Sequence, residues 1–352
     1  MKTIKEINKQ VVGIDVGKDS FYACYKTQVA DKQVIIKGTK SFNNNFSGMT
    51  LFMEWCKKRN KTPNVKPIFI MEATGVYYEE LAYFLHENKH KISVQLAQKM
   101  KYFAKSINIK TKTDKVDSKV IAEFGIEKNL KGTDFWTPPS KDFRMIRNLT
   151  REHRSLKKAQ TSAKAQLHAL NHSHEPYKGV VMMKKKQITF YKQQIKNVEK
   201  EILKLVKLDE KLYSKIKKIE TVKGLGFMTI ITILTEVNGF LLFKNIRQLV
   251  SYAGLDIVED ASGNRTGKTR MSKKGNVRIR SALYMPALSA IEYNKDFNNF
   301  YKRIIDGREV KKQGVVAVMR KLLVIIYVLW KKEEEYIENY QNIKKTSGNN
   351  ED

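Results

Sequence analysis

From about residue 140 to residue 218, apolar side chains return at helical spacing and glycine is nearly absent. The break is "HSHEPYKGVVM", with Pro176 and Gly179. This pattern predicts two long antiparallel helices around a loop, which part the chain into a region before them and a region after them.

The region before them reads differently. "VVGIDVG", "SFYACYK" and "KQVIIKGTKSF" are alternating or β-rich runs, broken at Gly17-Lys18-Asp19 and Ala30-Asp31-Lys32, and predict three antiparallel strands. "NFSGMTLFMEWCKKRN" then has helical spacing, "VKPIFIME" is a fourth strand, "GVYYEELAYFLHENK" a helix and "KISVQLA" a fifth strand. Two helices follow, over about 97–107 and 113–127. Strands first and then alternating helix and strand make an α/β layer fold with a mixed sheet. The region after the long helices is mainly helical. "IKKIETVKGLGFMTIITILTEV" resembles a helix-hairpin-helix, "FKNIRQLVSYAGL" a helix ending at Gly254, and another helix starts near Asn276. The apolar run near 315–330 contains Arg320 and Lys321, so it reads as a buried helix and not as a membrane span.

Charge narrows the partners. Lys and Arg total 67 against 36 Asp and Glu, a net charge of +31. Such an excess repels itself in a compact state and points to a polyanion, with nucleic acid first. A membrane surface fits less well, because basic residues occur in every region. A lysine-rich composition without function is the plain alternative. Cys24 and Cys56 are the two cysteines, too few for a disulfide framework or a cysteine zinc site. His168, His172 and His174 lie close together, but without the H-E-x-x-H spacing of a zinc motif. "MKTIKEINKQVVGID" has no long apolar core, so no signal peptide is expected and the protein reads as cytoplasmic.

Four carboxylates stand out against this background. Asp15 sits mid-strand where an apolar residue would be expected, Glu72 ends the fourth strand, and Asp114 and Asp117 share one face of the last helix of this region, over about 113–127. In open sheets functional groups gather at strand carboxyl ends and the neighbouring helices. Carboxylates about 5–6 Å apart repel by roughly 3 kcal/mol per pair at an effective dielectric near 20. A cluster of that kind takes up protons or binds a cation, and hard oxygen ligands suit Mg²⁺ or Mn²⁺. Metals so placed clamp the attacking and leaving oxygens of a phosphodiester. Taken singly, Asp15 could be a satisfied polar residue, and Asp114 and Asp117 a solvated helix face. "GIDVG" also resembles the first phosphate loop of sugar kinases and chaperone ATPases, but the second glycine-rich loop of those proteins is not found.

The basic residues fall into three groups. Lys112 and Lys115 flank the paired aspartates. Residues 151–218 carry 18 Lys/Arg and 6 Asp/Glu, either a solvated spacer or a coiled-coil arm that dimerises and lies along nucleic-acid backbone. Residues 261–280 hold seven basic residues and no acid: Arg265, Lys268, Arg270, Lys273, Lys274, Arg278 and Arg280. With Gly263, Gly267 and Gly275 this region predicts a loop in close phosphate contact. Gly224 and Gly226, in the "KGLG" turn, are candidates for backbone approach to phosphate. Ser262 opens the basic loop beside a glycine, and Ser251, Ser272 and Ser281 are its rivals as a reactive hydroxyl.

The blocks "GIDVGKDSF", "MEATGVYYEELAYFL", "FAKSINIKTKTDKVDSKVIAEF", "FKNIRQLVSYAGL", "SGNRTGKTRMSKKGNVRIRSAL" and "VVAVMRKLL" span nearly the whole chain. In this order they resemble the insertion-sequence transposases of the IS one-ten and eleven-eleven group, the DEDD serine recombinases guided by a bridge RNA. The resemblance implies a RuvC-like domain of the RNase H fold at 1–130, with its four acids on Asp15, Glu72, Asp114 and Asp117. It implies an antiparallel coiled-coil arm at 131–215 and a C-terminal transposase domain at 216–352, with a nucleophilic serine on Ser262. The implied partners are donor and target DNA, a structured non-coding guide RNA, and further copies of the chain in a dimer or tetramer with active sites assembled between protomers. The implied cofactor is Mg²⁺ or Mn²⁺, and the setting a bacterial or archaeal nucleoid. Two departures concern loops: no proline follows the "GL" block, and Ser118 stands where alanine is common. A metal-dependent junction nuclease that uses water, or a nucleic-acid binder without activity, would share most of these features.

Overall fold

Strand β1 (Ile7–Val16) is buried along most of its length because it lies in the middle of a five-stranded sheet. Strands β2 (Ser20–Val29) and β3 (Val34–Asn43) continue it as an antiparallel meander. Helix α1 (Phe46–Arg59) leads to β4 (Ile68–Glu72), which lies parallel to β1 on its other side; α2 (Glu79–Glu87) leads to β5 (Lys91–Gln95), parallel to β4. The strand order is β3-β2-β1-β4-β5, and α3 (Ala97–Ser106) and α4 (Asp114–Glu127) follow. This computed structural model describes residues 6–73, 75–241, 243–259, 261–262, 265–267 and 269–338. The chain divides into two units, Met1–Pro138 and Pro139–Asp352.

Alternation along the strands sorts the first unit into two cores. Val12, Ile14, Val16, Phe69 and Met71 face one side, with Phe52, Trp55, Leu81 and Leu85 of α1 and α2. Val11 and Ile70 face the other, with Met100, Phe103, Val120, Ile121 and Phe124 of α3 and α4. By the same alternation, Asp15 and Glu72 project on the face that α4 covers. Gly13 is on that face too. A Cβ there would lie 2.1 Å from the Ala122 nitrogen and 2.5 Å from the Ser118 oxygen, so the backbone of α4 rests directly on β1 and only glycine fits.

The second unit starts with α5 (Lys141–Asn171) and α6 (Lys178–Leu208), 31 residues each, or about 46 Å at 1.5 Å per residue. Ser140 caps α5 by accepting from the Phe143 N–H. The two helices form an antiparallel hairpin, tied by His153 and Glu199 at 2.8 Å. Its buried seam is thin: Ile146, Thr150 and Ala163 on one helix, and Ile195, Ile202 and Val206 on the other. The rest is a helical core of α7 (Glu210–Glu220), α8 (Phe227–Glu236), α9 (Ile246–Ala253), α10 (Val277–Tyr293), α11 (Lys295–Ile305) and α12 (Lys312–Lys332). By length and composition, α12 is the one helix among the described residues that could cross a membrane. Here Val315, Val318, Met319, Leu322, Leu323, Ile326 and Leu329 are packed inside the core.

The segment between α9 and α10 departs from the expected loop. It is paired into β6 (Ile257–Val258) with β9 (Arg270–Met271), and β7 (Ala261–Ser262) with β8 (Arg265–Thr266). Two short antiparallel ladders one above the other make a narrow hairpin. Glycine and basic residues hid it from a sequence reading, because each ladder is only two residues long and carries no repeating pattern.

Candidate metal centre and serine hairpin

Asp15 stands near the carboxyl end of β1, opposite Tyr22 of β2. Glu72 ends β4, in register with Gln95 of β5. Thr113 caps α4 by accepting from the Val116 N–H at 3.3 Å, which starts the helix with Asp114 and Asp117 in its first turn. The positive end of the helix dipole favours both aspartates there. The α4–β1 contact at Gly13 then brings that first turn beside Asp15.

The electrostatics show how near the four acids are. Burial pushes the Asp15 carboxyl up to about 7, and the charges of Asp117, Asp114 and Glu72 push in the same direction, against the pull of Lys112. Burial also raises Asp117; Lys112 opposes that and Asp114 adds to it. The four acids thus share one field. Their side chains are not closed into a shell, since among the described residues no group of three or more acid, histidine or cysteine side chains sits at metal-ligating spacing. The donor set fits a hard divalent cation: all its ligands would be oxygens, and bound positive charge would relieve the crowding that raises Asp15. Ser118 is fully buried, its hydroxyl donating to the Lys115 carbonyl at 3.0 Å, so this departure from alanine leaves α4 in place. Lys112 and Lys115 are exposed around the acids.

Ser262 is exposed on β7 and pairs with Arg265 of β8. Below it the hairpin is held at its foot, where the Ser272 hydroxyl donates to the Asp256 carboxylate and the Ser272 N–H to the Asp256 carbonyl at 2.9 Å. Ser281 accepts from Arg154 Nε at 3.3 Å. Of the three rival serines, these two have their hydroxyls engaged, and Ser251 lies within α9.

The basic candidates divide. Arg270, Lys273 and Lys274 are exposed on or just beyond β9. Lys268 and Gly263 lie outside the described residues. Arg280 Nη1 donates to the Ala253 carbonyl at 2.8 Å, which ties α10 to the end of α9. Arg278 Nε lies 3.7 Å from Glu236. Gly224, with φ +99°, has a packing reason to be glycine: a Cβ would meet the Ala290 nitrogen of α10 at 2.6 Å. Gly226 begins α8 with open space where a side chain would stand.

One polar centre escaped the sequence reading. Glu236 has a side chain only 2 % exposed and takes two bonds from Arg151, at 2.7 and 3.1 Å, and one from Asn276 Nδ2 at 2.9 Å. Burial acts to raise its carboxyl, but the bonds from Arg151 and Asn276 outweigh it and hold the group below its ordinary range. Asn276 also caps α10, accepting from the N–H groups of Arg278 and Ile279, and its own N–H donates to the Tyr252 carbonyl at 2.7 Å. Glu236 therefore joins α5, α8 and the point where the serine hairpin returns to the core. The sequence signal was an acid closing the otherwise apolar helix "FMTIITILTE".

Comparison with known proteins gives the family. A DEDD transposase model of the IS110 type matches residues 12–176, a stretch that contains all four acids. A second, the transposase IS116/IS110/IS902 family, matches residues 216–302, including Ser262. The chain belongs to the IS110 family of transposases. Its class is that of DNA transposases and recombinases. Among curated relatives, the pilin gene-inverting proteins of Moraxella lacunata and Moraxella bovis are 28% and 27% identical over 326 residues, 92% of this chain and 96% of theirs. The transposase for insertion sequence element IS1111A of Coxiella burnetii is 26% identical over 34% of each chain. A solved structure, the yeast mitochondrial Holliday junction resolvase Ydc2, gives a TM-score of 0.26 at 20% identity over 36% of this chain and 82% of that one, too loose a likeness to carry an inference.

Proposed function

We propose that this transposase cleaves and rejoins DNA through a covalent serine intermediate, with target choice set by a structured non-coding RNA. The observation that carries the reading is the shared field of Asp15, Glu72, Asp114 and Asp117 on one face of the sheet. The strand order and the parallel β1–β4–β5 half support an RNase H-like, RuvC-type domain at 1–130, followed by an arm at 131–215 and a serine-bearing domain at 216–352. Asp15, Glu72, Asp114 and Asp117 would hold a divalent cation, Mg²⁺ or Mn²⁺, which when bound would supply Lewis-acid polarisation of the scissile phosphate. The Ser262 oxygen bonds to the phosphorus as the bond to the departing strand oxygen breaks, and the serine proton passes to that oxygen, which leaves as a strand-end hydroxyl. The phosphoserine ester keeps the energy of the broken bond, so a hydroxyl on another strand can reverse the step and reseal without an external energy source. Basic residues around both centres hold backbone phosphates, while base pairing with the guide reads sequence. The relatives named for pilin gene inversion support recombination of DNA segments as the outcome. The protein acts as an oligomer in the cytoplasm, at the nucleoid.

Denaturing electrophoresis with labelled donor DNA tests this. A protein–DNA adduct should form with a divalent ion, map to a Ser262 peptide by mass spectrometry, and vanish in Ser262→Ala. Cleavage without any adduct would leave a metal-dependent nuclease that uses water. An adduct on another residue would displace Ser262.

A further inference from the structure

Directly after α12, this strongly basic chain runs "EEEYIE", residues 333–338. The segment lies against α7, the turn that follows it, and the start of α11. Glu333 Oε1 is 2.6 Å from Lys215 Nζ, and the Glu333 carbonyl accepts from Lys218 Nζ at 2.7 Å. Glu338 Oε2 is 3.1 Å from Lys223 Nζ, and its Oε1 accepts the Lys295 N–H at 3.0 Å. Between these ends, Tyr336 pins the segment. Its N–H donates to Thr221 Oγ1 at 3.0 Å, its hydroxyl donates to Asp296 Oδ2 at 2.7 Å, and its ring stacks on Phe297.

Anchor and charged ends have different physical weight. Tyr336 holds the strap through a partly buried ring and two hydrogen bonds. Each ion pair has one side open to water, 49 % exposed at Glu333 and 62 % at Lys223, and one side partly covered, 23 % exposed at Lys215 and 28 % at Glu338. Pairs of this kind are weak and screened by salt, so they explain little of the attachment. What they decide is which anion the lysines meet. A lysine ammonium pairs with a phosphate oxygen as readily as with a carboxylate. Beside Lys223, Gly226 leaves the backbone of the turn uncovered.

We propose that Lys215, Lys218 and Lys223 form a docking row for the phosphodiester backbone of duplex DNA, which the acidic strap 333–338 occupies in the free protein and must yield. The proposal rests on the reading of the chain as a DNA-acting transposase. The strap would favour DNA that supplies enough further contacts to displace it, and so discriminate against brief encounters with any polyanion.

The test is binding of a short labelled duplex by fluorescence anisotropy at several salt concentrations. The variant Glu333→Gln/Glu338→Gln keeps Tyr336. Its charge-matched control is Asp306→Asn/Glu309→Gln, two exposed acids of the same unit. The strap variant should bind about three- to tenfold tighter than the unmodified chain and the control less than about twofold tighter, with the difference fading as salt rises. Lys223→Gln should weaken binding more in the strap variant than in the unmodified chain. Equal gains in the two charge-matched variants, or a Lys223→Gln effect that is the same in both backgrounds, overturn the proposal, as does a gain with an RNA hairpin and none with duplex. Tyr336→Ala should also tighten binding; weaker binding with a lower melting temperature would show that the strap serves only to hold α7 and α11. Failure of the unmodified chain to bind duplex at any salt would overturn the parent reading too, and is visible in the first titration.

Discussion

Asp15 and Ser262 are both carried on strands, but β1 has ten residues with neighbours on both sides, and β7 has two. Asp15 is set by packing: α4 lies backbone to backbone on β1 at Gly13, and the neighbouring side chains are wholly buried. Ser262 is set from below, by the Asp256–Ser272 bond and by the Glu236–Asn276–Arg151 network at the base of the hairpin. The acids are therefore mounted before any ligand arrives, and at the expense of repulsion among themselves. The serine is exposed, and its position depends on a few polar ties that can be cut one at a time.

Activity gives the largest test of this difference, because the two mounts should be equally indispensable to it. Asp15→Asn and Ser262→Ala should each lower DNA strand cleavage by about 10³-fold or more, measured on labelled donor DNA. Retained cleavage in either variant would remove that centre from the reaction.

Next in size is the foot of the hairpin. Glu236→Ala removes the buried carboxylate that Arg151 and Asn276 both bond; because the Arg151 side chain is a third exposed, water can meet part of its charge, and the second unit should lose about 1–3 kcal/mol in urea unfolding, with Glu236→Gln milder. An effect within experimental error would mean that the network does not hold the base of the hairpin. In the first unit the corresponding break is Gly13→Ala, which forces α4 off β1. It should lower stability by about 1–3 kcal/mol, with the loss confined to the transition of the first unit.

The pH dependence sharpens the contrast further. The folded Asp15 carboxyl titrates at about 7 against an ordinary value of 3.8, so between those values the folded state binds more protons than the unfolded state. Without metal, the stability of the first unit should therefore fall as pH rises from 3.8 towards 7 and level off above it. Asp15→Asn should flatten that slope, and Mg²⁺ at pH 8 should recover part of the loss; thermal melts over a pH series measure both. A slope that persists unchanged in Asp15→Asn would place the titration elsewhere. Smallest of all, Ser262→Ala should change the melting behaviour by less than about 0.5 kcal/mol, since its side chain is exposed on a two-residue strand.

Much of this architecture was legible in the residues. The meander and the later strands followed from period-two runs and their turns, and the long helical hairpin from its spacing and its single break at Pro176 and Gly179. Asp114 and Asp117 could be placed on one helix face by their spacing alone. Period is local: it is decided by neighbours a few residues apart, so a linear reading reaches it. The ladders around Ser262 were too short to leave a period and were read as loop.

What the residues alone determined was the longer strands and helices and the four acids as candidates for one site. The tertiary structure decided how the acids meet, because that depends on α4 resting on β1 more than a hundred residues away, at a glycine whose partner no local pattern names. It likewise decided that Gly224 serves helix packing against Ala290, and that Glu236 is the ion that ties α5 to the serine hairpin. Close approach and charge pairing act through space and fall off with distance in three dimensions, so they become visible only once the chain is folded.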